Sequence, residues 1–183
     1  MRLFERYLLA GFDPSQLTLL ELHRVRSIAG TILGLATIAL VFLAHSLYLG
    51  LVPQAVTLVL GFGVGVGGYL AMAFSGRITL AGHGLAGALT LVLVGQAFAT
   101  GGFRNPQFAW FLVVPLVAGS SLGLRPGIFW GIVSILAVTP FWVLDFLGIA
   151  LPNLIPPSQR NLAEGLTFLG ALLAALTVMV SFL

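Results

Sequence analysis

The chain has no cysteine and no lysine, and only 7% of its 183 residues carry charge. Without cysteine, these residues hold no disulfide, no thiolate metal site and no thiol redox chemistry. Its eight basic residues are all arginine, scattered rather than gathered near aromatic side chains. The pI of about 10.2 therefore marks no nucleic-acid surface, which needs a concentrated electrostatic footprint. Acids are scarcer still, five in all, and Asp145 in "FWVLDFLGIA" is the one inside an apolar run. A transporter is expected to show matched halves with charge near the midplane, and neither is present. No nucleophile, base and orienting group converge, so no catalytic site is expected in these residues. Arg2, Glu5 and Arg6 interrupt the short apolar run before Asp13, so the N-terminus does not read as a cleavable signal.

Apolar residues take the place of all this, at 59% of the chain, with a mean hydropathy of +1.11. Such a chain lacks the polar side chains to cover a water-soluble domain. The fold class expected is all-α: a polytopic membrane protein forming a six-transmembrane-helix bundle. The spans fall at roughly 27–49, 52–74, 78–98, 107–124, 127–149 and 164–183, divided by turn-forming stretches such as Ser75-Gly76-Arg77 and "LPNLIPPSQRN". Pro140 is expected to kink the fifth. With the N-terminus cytoplasmic, Arg2, Arg6, Arg24, Arg26, Arg77 and Arg125 lie inside and only Arg104 and Arg160 outside. That asymmetry predicts a cytoplasmic N-terminus and C-terminus. Residues 1–26 read as a cytoplasmic N-terminal interfacial helix, with Asp13 as N-cap, Pro14 at the first helical position and Gln16 completing a capping box. An ordinary polar extension of the first span fits the same residues. The last residues, "VMVSFL", still read as span, so the chain is expected to be the membrane part of a longer protein with a cytoplasmic continuation.

Several motifs carry chemistry on paper. "GFGVGVGG" contains Gly63, Gly65 and Gly68 in a G-x-G-x-x-G pattern, but lies mid-span with no strand before it and no acid about 20 residues on. Gly61/Gly65, Gly63/Gly67, "GTILG" and "GSSLG" instead make small-xxx-small pairs suited to close helix approach, inside the bundle or in a dimer. His45 and His83 fall near opposite ends of their spans, about 20 Å apart in a bilayer core of about 30 Å, so they cannot share a metal. Metal ligands are therefore expected to be none. The polar and aromatic residues concentrate at the outer end: His45, Tyr48, Gln54, Gln96, Asn105, Trp110, Trp142 and Asp145. Part of this is the usual interfacial belt. A convergent polar cluster over an apolar cavity is also what a small, mostly apolar ligand needs.

At the centre of that end lies "ATGGFRNPQFAW", residues 99–110. Gly101 and Gly102 can take backbone angles closed to other residues and end the third span sharply. Asn105 can cap the fourth span with Pro106 at its first helical position. On a binding reading, the free amides there and Arg104 face a ligand carbonyl oxygen. The candidate ligand-binding set is Gly101, Gly102, Arg104, Asn105, Pro106, Phe108, Trp110, Trp142, Asp145, His45 and Gln96.

"TGGFRNPQFAW" followed by "VVPLVAGSSLGLRPGIFWGIVSIL" resembles the six-span N-terminal sensor region of bacterial membrane histidine kinases. The positions that carry the likeness are Thr100, Gly101, Gly102, Asn105, Pro106, Trp110, Pro115, Gly123, Arg125 and Gly127. A narrower likeness is to the redox-responsive RegB type, whose outer loop carries G-G-x-x-N-P-F and is associated with quinone. Gln107 stands where that motif has phenylalanine, and Phe108 follows one residue later, which turns a helical side chain by about 100°. The resemblance implies a sensor module of a two-component histidine kinase in the bacterial inner membrane. It implies a homodimer, a lipid or quinone-like small molecule as ligand, and a response regulator reached through a C-terminal kinase core. No cofactor follows from the residues themselves; quinone is the one the resemblance suggests. Similar six-span regions sit on membrane nucleotide cyclases, and a non-signalling integral membrane subunit or transporter fragment is the competing class.

Overall fold

The computed structural model describes residue 9, residues 12–104 and residues 106–180, with the side chains of 14, 104, 106 and 177–180 outside that description. Its helices are α1 (Leu19–Tyr48), α2 (Val52–Ser75), α3 (Ile78–Ala99), α4 (Val113–Leu122), α5 (Leu124–Phe146) and α6 (Arg160–Val180). Short 3₁₀ segments cover Pro14–Gln16, Gly102–Arg104, Pro106–Leu112 and Pro157–Gln159. Among the described residues there is no strand, only an isolated bridge between Thr100 and Asn153.

Helices α1, α2, α3 and α5 are each long and apolar enough to cross a membrane, whereas the apolar segment Gln107–Leu122 is shorter. Their outer faces expose large apolar side chains such as Leu40, Leu60, Leu91, Ile135 and Leu136. A surface of that kind suits lipid tails, because every backbone polar group is already bonded inside its helix. The expected all-α class built on membrane-length helices is borne out to that extent.

Local chemistry sets the helix ends. The first helix begins later than Asp13 suggests: Thr18 is its N-cap, accepting from the Glu21 amide at 3.3 Å while the Thr18 amide donates to Glu21 Oε2 at 3.0 Å. Asp13 instead closes a small turn, accepting from the backbone and hydroxyl of Ser15, and these bonds hold its carboxyl below the usual carboxylate range. From Leu19 the helix runs unbroken to Tyr48, so the polar residues before the first span belong to the same helix as the span. Helix α5 likewise continues through Pro140 to Phe146.

Helix α3 is the centre of the packing, touching α1, α2, α4 and α5. Its Leu85, Leu89 and Leu93 share one core with Val25, Ile28 and Ile32 of α1 and Val114 and Val117 of α4. Where helices pack most closely, one partner has no side chain. A Cβ on Gly61 would collide with Val92, and one on Gly127 would lie 3.0 Å from the Gly119 Cα. Two of the small-residue motifs thus serve packing within the bundle, while a Cβ at Gly30, Gly63 or Gly67 would meet nothing within 4 Å. Polar bonds between helices are few. Trp130 Nε1 donates to His83 Nδ1 at 3.0 Å, tying α5 to α3.

Candidate functional site

Between α1, α2 and α3 the side chains fail to fill the bundle, and a cavity with a free interior of about 120 Å³ remains. With its open side included, the empty space reaches about 850 Å³, and Phe62 of its wall is 44% exposed. The gap has a clear origin. Gly61 and Gly65 both line it from α2, and a Cβ at Gly65 would meet nothing within 4 Å. Aliphatic and aromatic side chains, among them Phe42, Leu58 and Val92, form most of the wall.

Polar groups gather at the end nearest the 99–112 loop, where Gln96, Gln107, Trp110 and Thr167 line the cavity. Gln96 Nε2 donates to the Gln54 carbonyl and to Thr57 Oγ1, both at 3.3 Å. The Thr100 hydroxyl lies 2.9 Å from the Gln96 carbonyl and 3.0 Å from Gln107 Oε1, linking the end of α3 to the next segment. Trp110 is fixed on both edges: Nε1 donates to the Thr167 carbonyl at 3.0 Å, and the ring meets Phe42 edge-on at 6.4 Å. Gly170 makes room for it, since a Cβ there would lie 2.8 Å from Trp110 Cζ2.

The 3₁₀ winding of Pro106–Leu112 explains this placement. With three residues per turn, side chains repeat at every third position. Gln107 and Trp110 are buried toward the cavity, while Ala109 and Leu112 are exposed. Phe108 and Phe111 form the remaining stripe, their rings 5.6 Å apart, and Phe108 also meets Phe103 and Phe141. The one-residue displacement of the aromatic from the RegB pattern thus separates two environments, Gln107 at the cavity and Phe108 in an aromatic cluster.

The candidate residues selected from sequence therefore divide. Gln96 and Trp110 line the cavity. Gly101 and Gly102, at φ of 92° and 71°, shape the turn above it and pack on Asn153 and Leu151. Phe108 belongs to the aromatic cluster. Trp142, 51% exposed, stacks on Phe146, and neither it, Asp145 nor His45 is on the cavity wall. His45 is half-buried on α1, with its Nε2 buried and without a hydrogen-bond partner among the described residues. Asn105 and the side chains of Arg104 and Pro106 lie outside the described residues. Sequence reasoning missed Gln107, Thr167 and the open face of Gly65. The signal for Gln107 was there: an amide opening an apolar run, seven residues after the Thr100 hydroxyl that it pairs with.

Chemically, the cavity offers an apolar body with amide groups at one end. Glutamine presents both a donor and an acceptor, so such an end suits a single carbonyl or hydroxyl on an otherwise apolar molecule. The interior is of the order that takes one ring, comparable to dry cavities of about 150 Å³ that bind benzene, and the open side lets a longer tail run out to lipid. No protein family, characterised protein or solved structure matches this chain.

Proposed function

We propose that the chain is the membrane sensor module of a bacterial two-component histidine kinase, six-spanning with both termini cytoplasmic and acting as a homodimer in the inner membrane. It detects a small apolar or quinone-like molecule from the outer half of the bilayer and passes the signal to a C-terminal kinase core. The observation that carries the ligand reading is the apolar cavity closed at one end by Gln96, Gln107 and Trp110, directly beneath the Thr100-Gly101-Gly102 turn. The signalling part rests on the motif likeness around that same turn. Binding shifts the balance of two helix arrangements only by the ligand's difference in affinity for them. Because the cavity is walled by α1, α2 and α3, such a ligand favours the arrangement in which these helices stand apart.

Two measurements test this. In a Trp130→Phe/Trp142→Phe background, which leaves Trp110 as the one tryptophan, a short-chain quinone should quench it saturably, and Gly65→Phe, which fills the cavity, should abolish that quenching while Gly65→Ala keeps it. Equal quenching in all three overturns the cavity as the site. The coding sequence beyond Leu183 tests the signalling part: a helical linker and kinase core support it, and a stop overturns it.

A further inference from the structure

A second cavity, of about 380 Å³, lies at the opposite, arginine-rich end of the bundle. Glu21 and Arg24 of α1, the Gly76-Arg77 turn and Ile78, Thr79 and Leu80 of α3 form its wall. Glu21 is the one acid in that wall, and its Oε2 already accepts from the Thr18 amide at 3.0 Å and the Thr18 hydroxyl at 2.8 Å. After the two Thr18 bonds, the charge of Arg24 also helps to hold the Glu21 carboxyl below its usual range. The first turn of α3 adds no acid either. Two guanidinium groups against one engaged carboxylate leave the cavity net positive.

Backbone turns without side chains make the room. Gly76 ends α2 in the left-handed region at φ 67° and lines the cavity. Gly123, at φ 105°, stands beside Arg24, so that a Cβ there would come within 3.9 Å of Nη2. Beside the exposed polar residues Ser75, Arg77 and Thr79 stand exposed apolar ones: Leu80 in the wall itself, Leu20 next to Glu21 in the chain, and Phe74 two residues before Gly76. A cationic recess fringed by lipid-facing hydrocarbon is unlike the binding site for a soluble anion, which has no use for the fringe. Guanidinium also matches phosphate oxygens with a fork of parallel donors, which ammonium does not.

We propose that this cavity seats the phosphodiester headgroup of an anionic phospholipid. Arg24 and Arg77 hold the phosphate oxygens, and the acyl chains descend over Leu20, Phe74 and Leu80. This inference is independent of what occupies the apolar cavity. Basic recesses between membrane helices are a known basis for headgroup recognition, with each arginine near the surface contributing about fivefold in affinity.

Native mass spectrometry of the purified chain, titrated with phosphatidylglycerol and phosphatidylcholine, tests it. Wild type should retain phosphatidylglycerol in preference to phosphatidylcholine. Arg77→Gln should weaken that binding about fivefold and Arg24→Gln/Arg77→Gln about 30-fold, with Arg125→Gln unchanged. Should the double variant not purify as a folded chain, Arg77→Gln, at an exposed turn, carries the comparison. Equal binding of the two lipids, or no loss in the arginine variants, overturns the proposal. Displacement of phosphatidylglycerol by millimolar inorganic phosphate also overturns it, assigning the recess to a soluble anion.

Discussion

Gly61 and Gly65 sit one helical turn apart on α2, and the same substitution at each should have opposite effects. A Cβ at Gly61 collides with the Val92 side chain and lies 3.6 Å from the Ala88 carbonyl oxygen, whereas one at Gly65 enters the cavity and meets nothing within 4 Å. Val92 cannot easily give way, because a β-branched residue in a helix is held near one χ1 rotamer. Its rotation, or a shift of α2 from α3, costs about 1–3 kcal/mol, the usual range for overpacking. The helix-propensity gain of alanine over glycine, about 1 kcal/mol, applies equally to both sites and cancels in the comparison. Gly61→Ala should therefore be about 1–3 kcal/mol less stable than Gly65→Ala, and Val92→Ala should restore most of the difference. Thermal unfolding in mild detergent, followed by helical circular dichroism, measures it. If the two single variants agree within about 0.5 kcal/mol, or Val92→Ala fails to rescue, the close α2–α3 approach and the adjoining void are both wrong.

Trp130→Phe removes the donor to His83 and should cost about 0.6–1.7 kcal/mol, the range for hydrogen bonds between membrane helices; the cost should shrink when His83 is already phenylalanine, as a double-mutant cycle would show. Thr18→Ala breaks the capping box and should cost about 1 kcal/mol, seen in hydrogen exchange as fraying over residues 19–23 with α3 unchanged. Gln107→Phe restores the aromatic of the RegB pattern but loses the bond to Thr100 and the amide at the cavity end. It should weaken binding of a carbonyl-bearing apolar ligand by about tenfold while leaving that of a hydrocarbon of equal size within about threefold.

Much of the helix order was legible in the sequence because apolar length and turn residues are local properties. Ser75-Gly76-Arg77 divides helices where the composition says it should, whereas the turn expected over residues 124–127 falls at Gly123, and those residues open α5 instead. The start of α1 lies later than Asp13 and Gln16 suggest, because Ser15 engages Asp13 and Thr18 forms the capping box with Glu21 instead. The 3₁₀ segment was not legible, because Pro106–Leu112 is as apolar as the α-helix it precedes. The cavity was beyond sequence reading for a different reason. Gly61 and Gly65 look like one packing stripe, and only the position of Val92 decides that the first is filled and the second open.

The 3₁₀ segment Pro106–Leu112 has one further consequence. A 3₁₀ helix rises about 2.0 Å per residue and an α-helix about 1.5 Å, so rewinding these seven residues as α would shorten them by about 3.5 Å. It would also turn Trp110 by about 60° relative to Gln107, since three residues would no longer complete a circle. The wall of the cavity is thus a screw thread whose pitch sets both the depth of the pocket and the facing of its aromatic ring.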